Sequence, residues 1–346
     1  MSMFSLILRD HTLITKPAFP GLQPLRLGLP NGTEPCFKFC RARAMTTDKD
    51  KLQSLRQEID AIDNTIHDLI MKRTGVVERV RKVKHGEKVK IRPAREAEIL
   101  YRLMARHKGP FPKQELAGIW REMIVATLRF EGPFSVAVSV DENEMGYWDM
   151  ARDQYGSFTP MIRHVSTRGV VEAVRNRYAT VGVLPMPRPD DTEFWWQFLV
   201  SEDPEQLRVI ARLPFIPGDN SNHLKGLDAL VICAVAQEKT GRDHSYLSIE
   251  AEKDIGFGAI ESAMSQAGLT IVFHQLLRDP DRPAAWVYLI EVSDFVDSEG
   301  SRMRRLVDGL VGRAIRILHL GGYATPLSHS EVENGKSDDS EAGDAS

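Results

Sequence analysis

Residues 52–83 read LQSLRQEIDAIDNTIHDLIMKRTGVVERVRKV, and their pattern predicts the architecture of the N-terminal part of the chain. Its apolar residues recur at spacings of three and four, which is typical of a long helix with one continuous apolar seam. They are Leu52, Leu55, Ile59, Ile62, Ile66, Leu69, Val76, Val80 and Val83. Arg73 stands where the next seam residue is due, and Lys84 returns to nearly the same face roughly three turns later. A cation in an apolar seam needs an anion, which a bound ligand could supply. Alternatively, the side chain of Arg73 extends to solvent or pairs with an acid on a neighbouring helix.

Two shorter helices are predicted to follow. Pro93 is placed to open the second helix, so Arg95 and Glu96 fall in its first turn. The third helix is predicted over residues 113–131. Its spacing puts a hydroxyl and a carboxyl on an otherwise apolar face, formed by Trp120, Met123, Thr127 and Glu131. Polar groups on such a face indicate a binding site.

These three helices resemble the all-α chorismate mutase domain over residues 52–131. The resemblance rests on seven polar residues in a fixed order: Arg56, Arg73, Lys84, Arg95, Glu96, Thr127 and Glu131. It implies an obligate homodimer in which the long first helices are intertwined. It also implies that chorismate rearranges to prephenate without a cofactor or a covalent intermediate. Such a step needs a pocket that holds a compact conformer and stabilises the negative charge that grows on the ether oxygen.

The resemblance also implies a role for each residue. Arg73 of one subunit and Arg56 of the other would clamp the two substrate carboxylates with bidentate geometry. Lys84 would donate to the ether oxygen, and Arg95 would assist at a carboxylate. Glu96 would accept the proton of the ring hydroxyl.

Three positions depart from the family pattern. Thr127 stands where serine is frequent, and Arg92 stands where an aspartate often lies beside the substrate hydroxyl. Glu131 replaces a frequent glutamine whose amide donates to the ether oxygen. An ionised carboxylate would repel the developing charge, so we expect an acidic pH optimum or a raised pKa of Glu131. The alternative for Glu131 is an ordinary helix C-terminal residue before Gly132.

Composition bounds the rest of the chain. Its 346 residues suggest two or three domains, and the net charge is −3. Residues 45–133 hold more basic than acidic side chains, which suits an anionic substrate. The basic run at residues 79–85 lacks interleaved aromatics, so we predict no nucleic-acid partner, and no apolar run is long enough for a membrane span. The three cysteines, Cys36, Cys40 and Cys233, fit neither a disulfide framework nor a zinc site and indicate a cytoplasmic protein.

The ends of the chain differ from the middle. Residues 1–44 are rich in proline and arginine, and we interpret them as a mis-assigned start with Met45 as the true beginning, or as disordered. A basic organellar transit peptide is the alternative. Residues 328–346 are rich in acidic residues and in small polar residues, and this composition predicts a disordered tail.

Residues 134–228 are predicted to be α/β, with strands at 135–140 and 180–185 and a helix between them. This region resembles the first lobe of prephenate dehydratase. Where that family has Pro-Ile-Glu-Asn after the second strand, this chain has Pro185-Met186-Pro187-Arg188, and a Thr-Arg-Phe motif is absent from its sequence. We therefore interpret this region as a degenerate dehydratase-like lobe.

Residues 229–327 resemble an ACT regulatory domain, which implies an amino-acid effector. The signs are strands at 244–249 and 286–292 and a turn at Gly256 that leads into a helix ending near Gly268. The family's Glu-Ser-Arg-Pro segment is replaced by Phe273-His274-Gln275-Leu276, so the identity of the effector stays open.

The predicted fold class is therefore multidomain. An all-α three-helix domain that forms an intertwined dimer precedes an α/β degenerate dehydratase lobe and an α+β ACT-like domain. The predicted function is chorismate mutase with a regulatory C-terminal half that is not dehydratase-active. The alternatives are a bifunctional mutase and dehydratase with a diverged second site, and a non-catalytic dimeric amino-acid sensor.

Overall fold

The computed structural model describes residues 47–83, 90–140, 146–203, 205–218, 226–279 and 286–333. The chain divides into two compact units between Asn64 and Thr65. The described part of the first unit, residues 47–64, lies in the N-terminal half of the first helix. Lys84, the predictions for residues 1–44 and the prediction for residues 334–346 lie outside the described residues. The predicted disorder does not extend to residues 328–333, because His329–Val332 form a short helix that Ser328 caps.

Helix α1 spans Asp48–Val83 and confirms the long helix that the heptad pattern predicts. It begins four residues before the seam because Thr47 caps it. The Thr47 hydroxyl accepts from the Asp50 N–H at 3.3 Å, and the Asp50 carboxylate accepts from the Thr47 N–H at 3.0 Å. Acidic residues in the first turn and basic residues in the last turn complement the helix dipole. No side chain of α1 is fully buried.

Helices α2 (Pro93–Arg106) and α3 (Lys113–Glu131) are confirmed within the second unit. Pro93 opens α2 because its fixed backbone angle suits the first helical position. The apolar face of α2 packs against α3 and against the C-terminal part of the chain. The shared cluster contains Ala97, Leu100, Met104, Ala117, Phe215, Ala324, Leu327 and Val332.

The described strands form a nine-stranded sheet with the order β2-β1-β3-β5-β4-β9-β6-β8-β7. Their bounds are β1 Val136–Ser139, β2 Met161–His164, β3 Val181–Pro185, β4 Arg208–Leu213, β5 Ala229–Cys233, β6 Asp243–Ala251, β7 Ile271–Arg278, β8 Trp286–Val292 and β9 Arg316–Ala324. Strand β1 pairs in parallel with β3, as the predicted βαβ order requires. The fold is therefore a helical N-terminal region followed by a mixed α/β sheet.

Five shorter helices accompany the sheet: α4 Gly146–Tyr155, α5 Thr167–Arg175, α6 Phe257–Ala267, α7 Ser301–Gly309 and α8 His329–Val332. From β6 onward the order is β-α-β-β-α-β, and the antiparallel strand order β9-β6-β8-β7 is that of a ferredoxin-like unit. Helix α6 starts after Gly256 and ends at Gly268, and both glycines have positive φ angles. Strand β5 lies at the predicted start of the ACT-like region but pairs with β3 and β4.

The segment that follows β3 packs into the core of the sheet. It contains a short 3₁₀ helix at Trp195–Leu199, and the side chains of Trp195 and Trp196 are buried. The indole N–H of Trp196 donates to Gln275 Oε1 at 2.6 Å, and Gln275 Nε2 donates to the Arg188 carbonyl at 2.6 Å. This buried relay joins the predicted lobe to strand β7, because Gln275 belongs to β7.

Within the described ranges, no helix combines the length and the apolar character that a bilayer crossing requires.

Candidate active site

Arg73 lies on the half-buried face of α1. In the part of α1 that belongs to the second unit, Ile70, Arg73, Thr74 and Val77 are half-buried. The Nη1 atom of Arg73 is buried and has no hydrogen-bond partner among the described residues. Burial lowers the pKa of this guanidinium from its usual value. An unpaired buried donor is costly, so this group is well suited to bind an anion.

The predicted apolar seam is exposed on the single chain. Its members in the second unit include Ile66 at 49% exposure and Leu69 at 58%. In the first unit, Leu55 and Ile59 are each 57% exposed, and Arg56 is exposed beside them. A run of exposed apolar side chains at heptad spacing is typical of a helix that pairs with another helix.

Glu96 is buried in the first turn of α2, where Pro93 and the helix geometry direct it inward. Its Oε2 accepts a hydrogen bond from Arg121 Nη1 of α3 at 2.7 Å. The backbone N–H of Arg92 also donates to this carboxylate. Burial raises the pKa of Glu96, and the charge and hydrogen bond of Arg121 oppose that rise. The structure thus brings Glu96 and Arg92 together, with Arg121 as the main partner.

Arg95 and Arg92 both pair with acids outside the predicted set. Arg95 is exposed, and its Nη1 lies 2.9 Å from Glu98 Oε2 one turn along α2. The side chain of Arg92 is half-buried, and its Nη1 donates to Glu238 Oε1 at 2.7 Å. Substrate binding by either guanidinium would therefore require it to leave or share its present acid.

Thr127 and Glu131 lie near the end of α3. Thr127 is buried, and its hydroxyl donates back to the helix, with the Ile124 carbonyl at 2.8 Å and the Met123 carbonyl at 3.1 Å. Glu131 is half-buried and closes the helix before Gly132. The Thr127 hydroxyl would have to rotate before it could donate to a substrate carboxylate.

Arg121, whose Nη1 contacts the predicted site residue Glu96, is not among the residues predicted from the sequence. A signal was available, since Arg121 lies on the buried face of α3 together with Ala117, Ile124, Val125 and Leu128. A lone charged residue on an apolar helical face requires a partner, just as Arg73 does. The partner, Glu96, could be identified only from the packing of α2 against α3.

The helical N-terminal part of the chain is similar to known proteins. Residues 55–132 match the family model described as chorismate mutase type II. A bifunctional chorismate mutase/prephenate dehydratase of Stutzerimonas stutzeri is 37% identical over 97 residues, which cover 26% of this chain and 27% of that protein. Two further proteins carry the same description. The one from Pseudomonas aeruginosa is 38% identical over 96 residues, which cover 26% of each chain. The one from Aquifex aeolicus is 31% identical over 143 residues, which cover 40% of this chain and 39% of that protein. The chain thus spans between about a quarter and two fifths of the length of these curated relatives.

Two solved structures overlap the chain more loosely. A prephenate dehydratase in complex with L-Phe from Arthrobacter aurescens has a TM-score of 0.44 and 10% identity, and the overlap covers 56% of this chain and 92% of that one. A chain described as GqqA, a quorum quenching acylase, has a TM-score of 0.40 and 14% identity, with coverage of 56% and 95%. Overlap at this level establishes neither a shared activity nor a shared ligand.

The family match covers α2, α3 and all but the first turns of α1, and it includes each described residue of the candidate site. Over residues 55–132, this protein carries a chorismate mutase type II domain.

Proposed function

We propose that this protein is a chorismate mutase that converts chorismate to prephenate. The observation that carries the proposal is the family match over residues 55–132 together with Arg73, whose buried Nη1 has no partner among the described residues. An arginine with an unpaired Nη1 in an apolar helical seam can offer two parallel donors to a carboxylate, and chorismate carries two carboxylates. The site residues named from the sequence are part of this proposal.

In this reaction the protein binds the substrate in a reactive conformer and stabilises the charge that develops. Arg73 and Arg56 hold the substrate carboxylates and thereby favour the compact conformer in which the bond can form. Lys84 and a protonated Glu131 donate to the ether oxygen as its negative charge grows. Thr127 and Arg95 bind the carboxylates more peripherally, and Glu96 accepts from the ring hydroxyl. Arg92 contributes its backbone N–H to Glu96.

The active assembly in this proposal is a homodimer in which Arg56 acts across the interface. The exposed apolar residues of α1 support it, because a single chain leaves side chains such as Leu55 and Leu69 more than half exposed to water. A second copy of the same helix would cover them through knobs-into-holes packing. The measurement is the molar mass in solution at micromolar concentration, by analytical ultracentrifugation.

The C-terminal half, in this proposal, is regulatory and does not act as a dehydratase. Two observations support this. The segment after β3 has Met186 and Arg188 in place of the dehydratase motif, and it then buries Trp195 and Trp196 in the core. The ferredoxin-like unit from β6 to β9 has the strand order expected of an ACT-like domain and would bind an amino-acid effector. The proposed location is the cytoplasm.

The deciding experiment follows chorismate consumption by the full chain between pH 5 and 8, with the products identified by mass spectrometry. We expect prephenate, and we expect Arg73→Ala to abolish its formation. The matched control is Arg79→Ala, which removes an exposed arginine from the same helix. Phenylpyruvate among the products would favour a bifunctional enzyme. No turnover by the unaltered chain at any pH would leave the amino-acid sensor as the better interpretation.

A further inference from the structure

Arg121 is almost completely buried, and its guanidinium joins three separate elements. It is 3% exposed and lies on α3, where its Nη1 donates to Glu96 of α2 at 2.7 Å. On another side, its guanidinium carbon lies 5.4 Å from the ring centroid of Phe215, in the segment after β4. An arginine suits this place because its flat, weakly hydrated guanidinium can stack on an aromatic ring while it donates to a carboxylate.

Phe215 is itself fixed by the C-terminal part of the chain. Its carbonyl accepts from the Leu327 N–H at 3.0 Å, and its ring lies 5.9 Å from that of Tyr101 on α2. Phe215 is buried, so the guanidinium of Arg121 packs against a side chain that is shielded from water. The α/β part of the chain therefore helps to determine where Arg121, and with it Glu96, can lie.

Among the described residues, polar groups from three helices surround Glu96. Arg121 faces it from α3, the Arg92 N–H faces it from the start of α2, and the buried phenol of Tyr155 faces both Glu96 and Arg121 from α4. Burial raises the pKa of Glu96, whereas Arg121 acts in the opposite direction. A neutral replacement at position 121 would leave a buried carboxyl without its cation, and such a group takes up a proton. A protonated Glu96 would donate a hydrogen bond and would no longer be an acceptor with two free lone pairs on each oxygen.

We propose that Arg121 is a positioning residue of the mutase reaction, which holds the Glu96 carboxylate charged and oriented to accept the hydrogen of the substrate hydroxyl. The proposal rests on the proposed function, in which Glu96 contacts substrate. Arg121 itself touches neither substrate nor reacting atoms. Its Nη1 donates to Oε2 of Glu96, which leaves the other carboxylate oxygen available to accept from the substrate hydroxyl.

The test is a double-mutant cycle in the full chain with Arg121→Met, Glu96→Gln and the combined variant, assayed for chorismate turnover. We expect each single change to lower kcat/KM by about 10- to 100-fold, and the combined variant to be no worse than the poorer single variant. Arg121→Lys should restore part of the loss because it returns the charge. The control is Arg102→Met, an exposed arginine of α2, with no change expected.

A second readout separates positioning from folding. In Arg121→Met the acidic limb of the kcat/KM profile should move to higher pH by about one unit or more, because Glu96 would need a higher pH to ionise. Phe215→Leu keeps the charge and removes the ring, so it should shift the profile less and provides a variant if Arg121→Met does not fold.

Two results would overturn the proposal. One is independent, additive losses in the cycle, and the other is an unchanged pH profile in both Arg121→Met and Phe215→Leu. Absence of turnover in the unaltered chain would instead remove the proposed function itself, which the first assay detects before any variant is compared.

Discussion

Val209 and Gly321 are paired in parallel register where strands β4 and β9 meet, and a Cβ on Gly321 would overlap the backbone of Val209. Gly321 has φ +95°, a region that side-chain-bearing residues rarely adopt. This pairing joins the strands of the predicted lobe and those of the ferredoxin-like unit into a single sheet. Close approach of two backbones here requires glycine.

Gly321→Ala should therefore destabilise the protein by about 2–4 kcal/mol, since it combines backbone strain with a steric overlap. The measurement is chemical denaturation of the full chain, followed by circular dichroism. Gly258→Ala is the matched control, because Gly258 lies in α6 and a Cβ there meets nothing within 4 Å. A similar midpoint for both variants would show that the strand junction tolerates a side chain.

Arg73→Lys should retain the charge but lose most of the mutase activity. A lysine provides a single compact ammonium, whereas the carboxylate site calls for two parallel donors in a plane. We expect kcat/KM to fall by about 10²-fold or more, with the fold intact because Arg73 is only half-buried. Full activity of this variant in steady-state assays would argue that Arg73 does not clamp a carboxylate.

Glu131→Gln should move the pH optimum of mutase activity upward. A glutamine amide donates a hydrogen bond at any pH, whereas a carboxyl donates only when it is protonated. We therefore expect the unaltered chain to be more active near pH 5 than near pH 8, and the variant to keep its activity to higher pH. The measurement is kcat/KM from pH 5 to 8. If the unaltered chain and the variant have profiles of the same shape, Glu131 takes no part in the reaction.

His319 should make stability depend on pH in a defined window. Burial and the nearby charge of Arg208 lower the pKa of His319 to about 4, against a usual value of 6.5. Between those values the unfolded state binds more protons, so stability should fall as the pH falls from 6.5 towards 4. The largest possible loss is about 3 kcal/mol by linkage.

His319→Gln removes the titration and keeps a side chain that can donate to Gln237, which now lies 3.1 Å from His319 Nε2. Denaturation midpoints measured at pH 7 and pH 4.5 should differ less in this variant than in the unaltered chain. If the midpoint changes by the same amount between pH 7 and pH 4.5 in both proteins, His319 is already protonated in the folded state at pH 4.5.

Much of the local structure was predictable because it depends on neighbours in sequence. Heptad spacing predicts α1, Pro93 marks the start of α2, and the helix over residues 113–131 has the predicted bounds. These features follow from helix periodicity and end effects, which act over a few residues. The strands at 181–185 and 286–292 were found in the same way.

The candidate site was only partly predictable. The sequence points to Glu96 as a polar residue in a first helical turn, but its partner Arg121 lies 25 residues away and is joined to it by packing. Arg92 and Arg95 look equally available in the sequence, yet each pairs with a different acid in the fold. Side-chain direction and the competition among acids for each arginine are settled in three dimensions.

Periodicity, capping and charge are local properties, so the three N-terminal helices, several of the strands and the position of a cation in the seam of α1 could be predicted from the sequence. Two relationships arise only from tertiary packing: Arg121 holds Glu96 while it stacks on Phe215, and Gly321 joins two groups of strands into one sheet. Both relationships link residues far apart in the chain. They depend on close packing between elements, which no local pattern encodes.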